Sequence, residues 1–398
     1  MRVLEVFEPG CDGVFRHVEQ LCRFLAREGV EIDIAYSSRR PSAGLYEFVS
    51  WIRSTGGMAY DLGVGPAPTR KDAGAALAVW QMVRARRPDV VHAHSSKAGA
   101  LVRSLPPMWW RPAVFYTPHA YYGMSPGRGL SARLYDAIER VLGRVGTTIN
   151  VSHDEARFAM RSLGVASKRR RIIPNPVECR RFSPPTARER AVARESFQIP
   201  AGRVVVGFAS RWSRQKDPDT AYRLFERALA HDDRLHLLHL CKRTTRADAG
   251  AFAAESDLMN RITFVDYSED VRPFFHASDV FLMTSRYEAG WPFVLIEALA
   301  CGLPAVVTEC IGMSDVGMSG LSACAAFPVG DVAAGADGLR MACSAWLGTY
   351  NNHRELVLER FSPEHCFGRV LAEYRAESGV AVVRRAPGLA GSLARRAG

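Results

Sequence analysis

The sequence predicts an α/β protein of two Rossmann-like domains, successive in the chain and facing each other across a deep cleft. Three observations predict it. Short apolar runs alternate with helix-patterned stretches over most of the 398 residues, the order expected of βαβ units and parallel sheets. Many runs stop at turn residues, as at Pro9-Gly10, Pro118-His119 and Pro174-Asn175-Pro176. The series pauses once, in a Pro-, Arg- and Glu-rich stretch near residues 178–200, and then begins again. Hydrophobic residues at 47% and charged residues at 23% give an ordinary globular balance, enough to fill two cores.

The first half opens with a strand at residues 3–7. A helix over 15–28 follows, with Val18, Leu21, Cys22 and Leu25 on one face and Gly29 placed to stop it. A strand at 30–36 completes the first βαβ unit. Residues 37–71 carry only weak strand signals among many turn residues. A helix over 73–86 leads into Pro88-Asp89-Val90-Val91-His92-Ala93-His94. Strands are expected at 113–117, 147–151 and 171–173, with helices at 130–144 and 154–163. After the join, a first helix lies before residue 200. Strands are expected at 203–209, 235–241, 262–265, 280–283, 305–308 and 323–327. Helical stretches fall at 219–230, 271–276, 294–301 and 332–349.

Fifty-two Lys and Arg against 41 Asp and Glu give a net charge of +11, which favours anionic partners such as nucleotides or acidic lipid headgroups. The arginines are dispersed and no helix-turn-helix or finger pattern is present, so nucleic acid fits poorly. Nine scattered cysteines, odd in number and without a CxxC pair, disfavour a zinc site or disulfide framework and fit a reducing compartment. The N-terminus lacks the apolar stretch of a signal peptide. No segment reaches 18 apolar residues, so the expectation is a protein that is soluble or attached at a membrane surface. Neither GxGxxG nor GxxxxGK[ST] occurs, which argues against a standard dinucleotide site and a P-loop.

Three clusters carry chemistry. In Gly207-Phe208-Ala209-Ser210-Arg211-Trp212-Ser213-Arg214-Gln215-Lys216-Asp217, Arg211 and Lys216 stand beyond a strand end, where an open α/β sheet takes an anionic ligand. A diphosphate is met bidentately by Arg and as a point charge by Lys; the alternative is a solvated basic loop. In the second cluster, Glu288-Ala289-Gly290-Trp291-Pro292-Phe293 runs into a helix containing Glu297. The amides at that helix start can meet phosphate or sugar oxygens, and Glu297 can accept both ribose hydroxyls. Equally, Glu297 can be a first-turn acid compensating the helix dipole. The third cluster is Tyr116-Thr117-Pro118-His119-Ala120-Tyr121-Tyr122-Gly123, where Gly123 relaxes the loop and His119 either faces a transferred group or is structural. His92 and His94 alternate on what reads as a strand edge, but no carboxylate or cysteine completes a ligand set, so no metal site is expected.

These pieces taken together resemble the retaining glycosyltransferases of the GT-B type, family 4, over roughly residues 1–375. The matching stretches are DVVHAHSSKAG at 89–99, TPHAYYG at 117–123, INVSHDEA at 149–156, IIPNPVE at 172–178, GFASRWSRQKD at 207–217 and SRYEAGWPFVLIEALACGLPAVVT at 285–308. The resemblance implies an acceptor-binding domain at 1–178 and a nucleotide-sugar-binding domain at 179–361. It also implies a helix at 362–379 crossing back to the N-terminal domain; residues 380–398 read as a basic mobile tail. Arg211 and Lys216 match the diphosphate-binding pair, Glu297 the ribose-binding glutamate of the EX7E motif, and His119 the histidine beside the donor sugar. Gly290, Trp291, Pro292 and Phe293 would line the donor. Two departures stand out. Glu288 and Glu297 enclose eight residues instead of seven, which a bulge at Ala289-Gly290 would absorb; the alternative puts Ala289 at the motif's first position. The N-terminal glycine loop is altered, with Gly10 and Gly13 left to let backbone approach phosphate or acceptor.

The resemblance implies transfer of a sugar from a UDP- or GDP-sugar with retention and without a bound metal or other cofactor. The acceptor would be a glycan, lipid-linked, in cell-surface polysaccharide synthesis, with the protein cytoplasmic and peripheral at the inner membrane. Trp109-Trp110-Arg111 reads either as an interfacial patch on an anionic membrane or as a buried pair. The alternatives are an epimerase or phosphorylase of the same plan, or a binding protein without turnover.

Overall fold

The computed structural model describes the chain except residues 107–111, 126–128, 243–246, 248–257, 268–269, 315, 317–323, 346–351 and 381–398. Trp109, Trp110 and nearly all of the basic tail therefore lie outside the described residues. The chain divides into two compact units. The first holds Met1–Pro118, Arg144–Thr148 and the chain from Phe367; the second holds His119–Gly143 and Ile149–Cys366.

Seven strands form one sheet: β1 (Arg2–Phe7), β2 (Glu31–Tyr36), β3 (Ala59–Asp61), β4 (Val90–His94), β5 (Ala113–Thr117), β6 (Thr147–Asn150) and β7 (Arg170–Ile172). Their order is β3-β2-β1-β4-β5-β6-β7. Six more form the other: β8 (Val204–Ala209), β9 (Leu235–Cys241), β10 (Ile262–Asp266), β11 (Val280–Met283), β12 (Ala305–Glu309) and β13 (Cys324–Pro328), in the order β10-β9-β8-β11-β12-β13. Each strand pairing described is parallel. Both orders run outward from a first strand in one direction and then in the other. Each sheet therefore has a switch point, between β1 and β4 and between β8 and β11, where neighbouring loops diverge and leave a crevice.

The near-continuous apolar runs of β8 and β11 follow from burial on both faces. Alternate residues of β8 feed opposite cores: Val204, Val206 and Phe208 pack with Tyr222, Leu224 and Phe225 of the helix Pro218–Leu229, and Val205 joins Leu295, Ile296 and Leu299 of the helix Phe293–Ala300. Asp279, buried before β11, accepts from Arg194, Arg190 and the backbone of Val205. It fixes the helix Ala187–Ser196 to the start of β8. Two helices of the first unit are absent from the sequence reading. Leu45–Ser54 forms inside the turn-rich stretch because Leu45, Phe48, Val49 and Ile52 fall on one buried face. Ser96–Arg103 is short and small-residued, and buries Ala98, Leu101 and Val102.

The two strand histidines also require correction. β4 is not an edge; it lies between β1 and β5, with His92 and His94 fully buried. A carboxylate does join them, because β1 places Glu5 opposite His92. Glu5 Oε2 lies 2.8 Å from His94 Nε2, and Tyr374 Oη donates to Glu5 Oε1 at 3.1 Å. His92 reaches Tyr374 Oη at 2.6 Å through Nδ1 and Thr117 Oγ1 at 2.8 Å through Nε2. Burial pushes the Glu5 carboxyl up to about 8, against the Tyr374 hydrogen bond, and drives His94 down to about 3. One neutral proton pattern satisfies these four contacts together: Glu5 donates to His94 Nε2, Tyr374 to Glu5, His92 Nδ1–H to Tyr374 and Thr117 to His92 Nε2. The network fastens the helix Pro363–Ser378, which carries Tyr374, to the core of the first unit.

A carboxyl whose folded pKa lies above its unfolded value contributes fully below the unfolded value and loses that contribution as pH climbs to the folded one. Glu5 therefore makes stability fall between pH 4.5 and about 8. Glu5→Gln keeps the hydrogen bonds without the proton. Relative to it, the wild-type unfolding free energy is expected to decline across that window with a slope approaching ~1.4 kcal/mol per pH unit, measured by urea denaturation. Parallel pH profiles would refute the assignment.

Candidate functional site

At the second switch point the loops after β8 and β11 meet. The β8 loop turns tightly, with Lys216 N and Asp217 N both donating to Ser213 O at 3.0 Å. Asp217 then takes a left-handed conformation (φ 47°) before Pro218 opens the next helix. Its carboxylate accepts from Thr220 Oγ1 at 2.8 Å and pairs with Arg286 of the β11 loop at 2.9 Å. Backbone contacts repeat the junction: Arg286 N donates to Gln215 O, Gln215 Nε2 to Tyr287 O, and Thr284 Oγ1 lies 2.9 Å from both Lys216 O and Asp217 O.

Lys216 Nζ and Glu288 Oε1, 72 residues apart in sequence, form an ion pair at 2.5 Å. Both side chains are largely buried. Arg211 lies exposed on the same loop, and no described residue takes its guanidinium. Two hydroxyls in these loops, Ser213 Oγ and Ser285 Oγ, are buried and meet no hydrogen-bond partner among the described residues, which is uncommon and fits a polar ligand. The loop ends in the helix Phe293–Ala300, preceded by Trp291 and Pro292. Trp291 is buried, its ring 5.3 Å from that of Phe361, so it anchors the helix start. Glu297 is buried in the second turn, and the first turn holds no acid. The dipole-compensating reading of Glu297 is therefore set aside.

The region of the extra residue is specific. Glu288, not Ala289, meets the lysine; Ala289 O instead accepts from Ser152 Oγ at 2.6 Å. Gly290 does not have positive φ. It is needed for room, since a Cβ there would lie 2.8 Å from Val151 O. The left-handed glycine is Gly312 (φ +95°), where a Cβ would fall 2.0 Å from Glu288 O while Glu288 N donates to Ile311 O. Gly312 N in turn donates to Asp154 Oδ2 at 2.8 Å. Burial opposes ionisation of Asp154, but Arg157, Ser314 and Gly312 outweigh it and hold its carboxyl below the usual range.

The remaining candidates belong to other segments of the chain. His119 follows β5 in a strained left-handed conformation (φ 52°), as does Ala120 (φ 95°), whose N–H donates to Glu155 at 2.8 Å. Burial pushes Glu155 up to about 8, against its bonds from Ala120 and Val151. Strain in this loop thus sits at His119 and Ala120. Gly123 does not relax it; it is buried against Asp136. Gly13 is exposed in the first turn of the helix Asp12–Arg27, and the positive φ there belongs to Asp12. Arg286, Asp154 and Gly312 went unassigned from sequence; Arg286 and Asp154 lie in the quoted stretches at 285–308 and 149–156, whereas Gly312 carried no signal.

Residues 11–181 match the family described as Glycosyltransferase Family 4, and residues 203–344 match glycosyl transferases group 1. The UDP-Gal:alpha-D-GlcNAc-diphosphoundecaprenol alpha-1,3-galactosyltransferase of Escherichia coli is 24% identical over 61% of this chain and 63% of its own length. The Vi polysaccharide biosynthesis protein VipC/TviE of Salmonella typhi is 30% identical over 41% of this chain and 29% of its own length. The chain thus spans less than two thirds of these relatives. Among solved structures, a glycosyltransferase from Rickettsia africae has a TM-score of 0.79 at 16% identity, covering 96% of this chain and 99% of its own. Anabaena Alr3699/HepE in complex with UDP has a TM-score of 0.77 at 16% identity, covering 94% and 100%. These likenesses show the fold.

The packing of Gly312 gives a direct test of loop geometry. Gly312→Ala is expected to lower stability by well over the ~1–2 kcal/mol of left-handed strain alone. Gly330→Ala (φ +79°, open space around its Cβ position) should lose only that strain. Equal losses in urea denaturation would refute the close approach to Glu288.

Proposed function

The chain belongs to glycosyltransferase family 4, and on that footing we propose that it transfers a hexosyl group from a UDP- or GDP-sugar to a glycan acceptor, with retention. The observation that carries this reading is the Lys216–Glu288 pair at the β8/β11 switch point, beside exposed Arg211 and ahead of the helix bearing Glu297. In this reading Arg211 and Lys216 hold the diphosphate, Glu297 takes the ribose hydroxyls, and Gly290 to Phe293 line the donor. Glu288 exchanges part of its contact with Lys216 for hydroxyls of the sugar, since a carboxylate beside a diphosphate is otherwise repelled.

Transfer breaks the bond between the anomeric carbon and the phosphate oxygen and forms one to the acceptor oxygen. The acceptor's proton passes to the departing phosphate. Negative charge grows on that phosphate in the transition state, and fixed cations at Arg211 and Lys216 stabilise it there. His119 supports the transferred sugar from its strained loop, and Gly13 lets backbone approach the acceptor or phosphate. None of these steps calls on a metal or other cofactor.

For the acceptor, the name of the Escherichia coli relative includes a diphosphoundecaprenol-linked sugar, and that of the Salmonella protein the biosynthesis of the Vi polysaccharide. They support a lipid-linked glycan acceptor, met by a cytoplasmic protein peripheral to the membrane. No helix among the described residues is long and apolar enough to cross a bilayer.

A panel of UDP- and GDP-sugars, assayed for hydrolysis and transfer, tests the reading. One donor is expected to release its nucleotide, with the product's anomeric configuration retained by NMR. Lys216→Ala and Glu297→Ala should each lower kcat/KM by ~100-fold or more. Phosphate-dependent release of sugar phosphate would point to a phosphorylase, and nucleotide binding without turnover to a binding protein.

A further inference from the structure

Two side chains at the start of the helix His153–Arg161 reach the loop that carries Glu288, and all of these residues lie in the second unit. Each has a local reason to be there. Ser152 caps the helix, its Oγ accepting from Glu155 N at 3.1 Å, and Asp154 is an acid of the first turn. Neither side chain stops at that duty. A hydroxyl can accept and donate at once, and Ser152 Oγ also donates to Ala289 O at 2.6 Å, 137 residues away. Asp154 Oδ2 accepts from Gly312 N at 2.8 Å and Ser314 N at 3.0 Å. Its Oδ1 accepts from Ser314 Oγ at 2.8 Å and from Arg157.

The two sets of contacts converge on one backbone segment. Glu288 N donates to Ile311 O at 2.7 Å, Tyr287 bridges to Ile311, and Gly312 clears the space taken by Glu288 O. Asp154 therefore holds the strip at 311–314 against which Glu288 lies, while Ser152 holds the residue that follows Glu288. Val151 O closes on the next residue, 2.8 Å from where a Cβ of Gly290 would stand. Ala289 is where the chain absorbs the residue beyond the seven of the EX7E spacing. An inserted residue takes backbone groups off the regular pattern, and they keep one geometry only when each has a partner.

We propose that Ser152 and Asp154 are positioning residues of the donor site: they fix the bulge at Ala289 so that the Glu288 carboxylate is presented to the donor sugar beside Lys216. The inference rests on the reading of Glu288 as a contact of that sugar. It adds how the extra residue is compensated, from a helix start far away in the sequence. Both residues act through the backbone around Glu288, so loosening them spreads the carboxylate over several orientations and leaves the diphosphate cations in place.

The test uses the full chain and the active donor of the UDP- and GDP-sugar panel. Ser152→Gly removes the bond to Ala289 O, while a glycine still serves as a helix cap. It is expected to lower kcat/KM by ~10-fold or more and to weaken binding of the intact donor, with the Kd of the nucleoside diphosphate alone unchanged within ~2-fold by calorimetry. Asp154→Ala should act alike. Asp154→Asn, whose amide oxygen still takes Gly312 N and Ser314 N, should recover to within ~3-fold of wild type. Circular dichroism and the unfolding midpoint report folding, and Ser152→Gly carries the test if Asp154→Ala does not fold. A double-mutant cycle separates positioning from general support. In a Glu288→Ala background, Ser152→Gly should change the ratio of donor Kd to nucleoside diphosphate Kd by less than ~2-fold, because the carboxylate it positions is gone. Equal losses in the two backgrounds overturn the proposal, as does a folded Ser152→Gly variant with wild-type kcat/KM. So does a matching loss of nucleoside diphosphate affinity. A Glu288→Ala enzyme that loses transfer while Ser152→Gly and Asp154→Ala keep it removes this inference alone. A Glu288→Ala enzyme that binds and transfers like wild type removes the reading of Glu288 and this inference with it.

Discussion

The reversal of strand order between β8 and β11 governs the arrangement of the second unit, because it brings two loops 72 residues apart in sequence to one crevice. Parallel pairing of Val280 with Val206 and Leu282 with Phe208 fixes the register, so both strands deliver their following residues at the same level. Each loop carries a charge that would be costly if buried alone. The Lys216–Glu288 and Arg286–Asp217 pairs let the loops approach with opposite charges facing. The crossed backbone bonds between Gln215 and the 286–287 segment turn that approach into a defined geometry. Arg211, exposed on the same rim, supplies positive charge beyond what the paired acids neutralise.

The first switch point follows the same topology with the opposite chemistry. Between β1 and β4 the polar side chains are sealed from water, and Glu5, His94, His92, Tyr374 and Thr117 satisfy one another as neutral groups. Such a network gives little to a ligand, but it pins a helix from the end of the chain to strands near its start. The contrast separates two uses of one fold: a charged, partly open crevice in the second unit and a closed fastening in the first.

Much of this was legible in the sequence. Strand runs such as VVVGFA and VFLM carry near-continuous apolar letters because both their faces are covered, and their bounds in the structure agree within a residue or so. Arg211 and Lys216 stand in the loop after β8, where the letters put them, and Glu297 lies in the helix expected near residues 294–301. What the letters hid were contacts between distant segments. Glu5 and the histidines at 92 and 94 are read as unrelated until β1 and β4 pair. Gly312, 24 residues after Glu288, carries no local hint that it clears space for that residue's carbonyl. The helix Leu45–Ser54 was masked by its turn-rich surroundings, although its buried residues are correctly spaced.

A crystal structure of the chain with a bound nucleoside diphosphate tests the β8/β11 site most directly. The predicted density has phosphate oxygens within hydrogen-bonding distance of Lys216 Nζ and the Arg211 guanidinium, with the ribose hydroxyls at Glu297. Nucleotide density elsewhere, with the Lys216–Glu288 pair unchanged from its 2.5 Å contact, would contradict it.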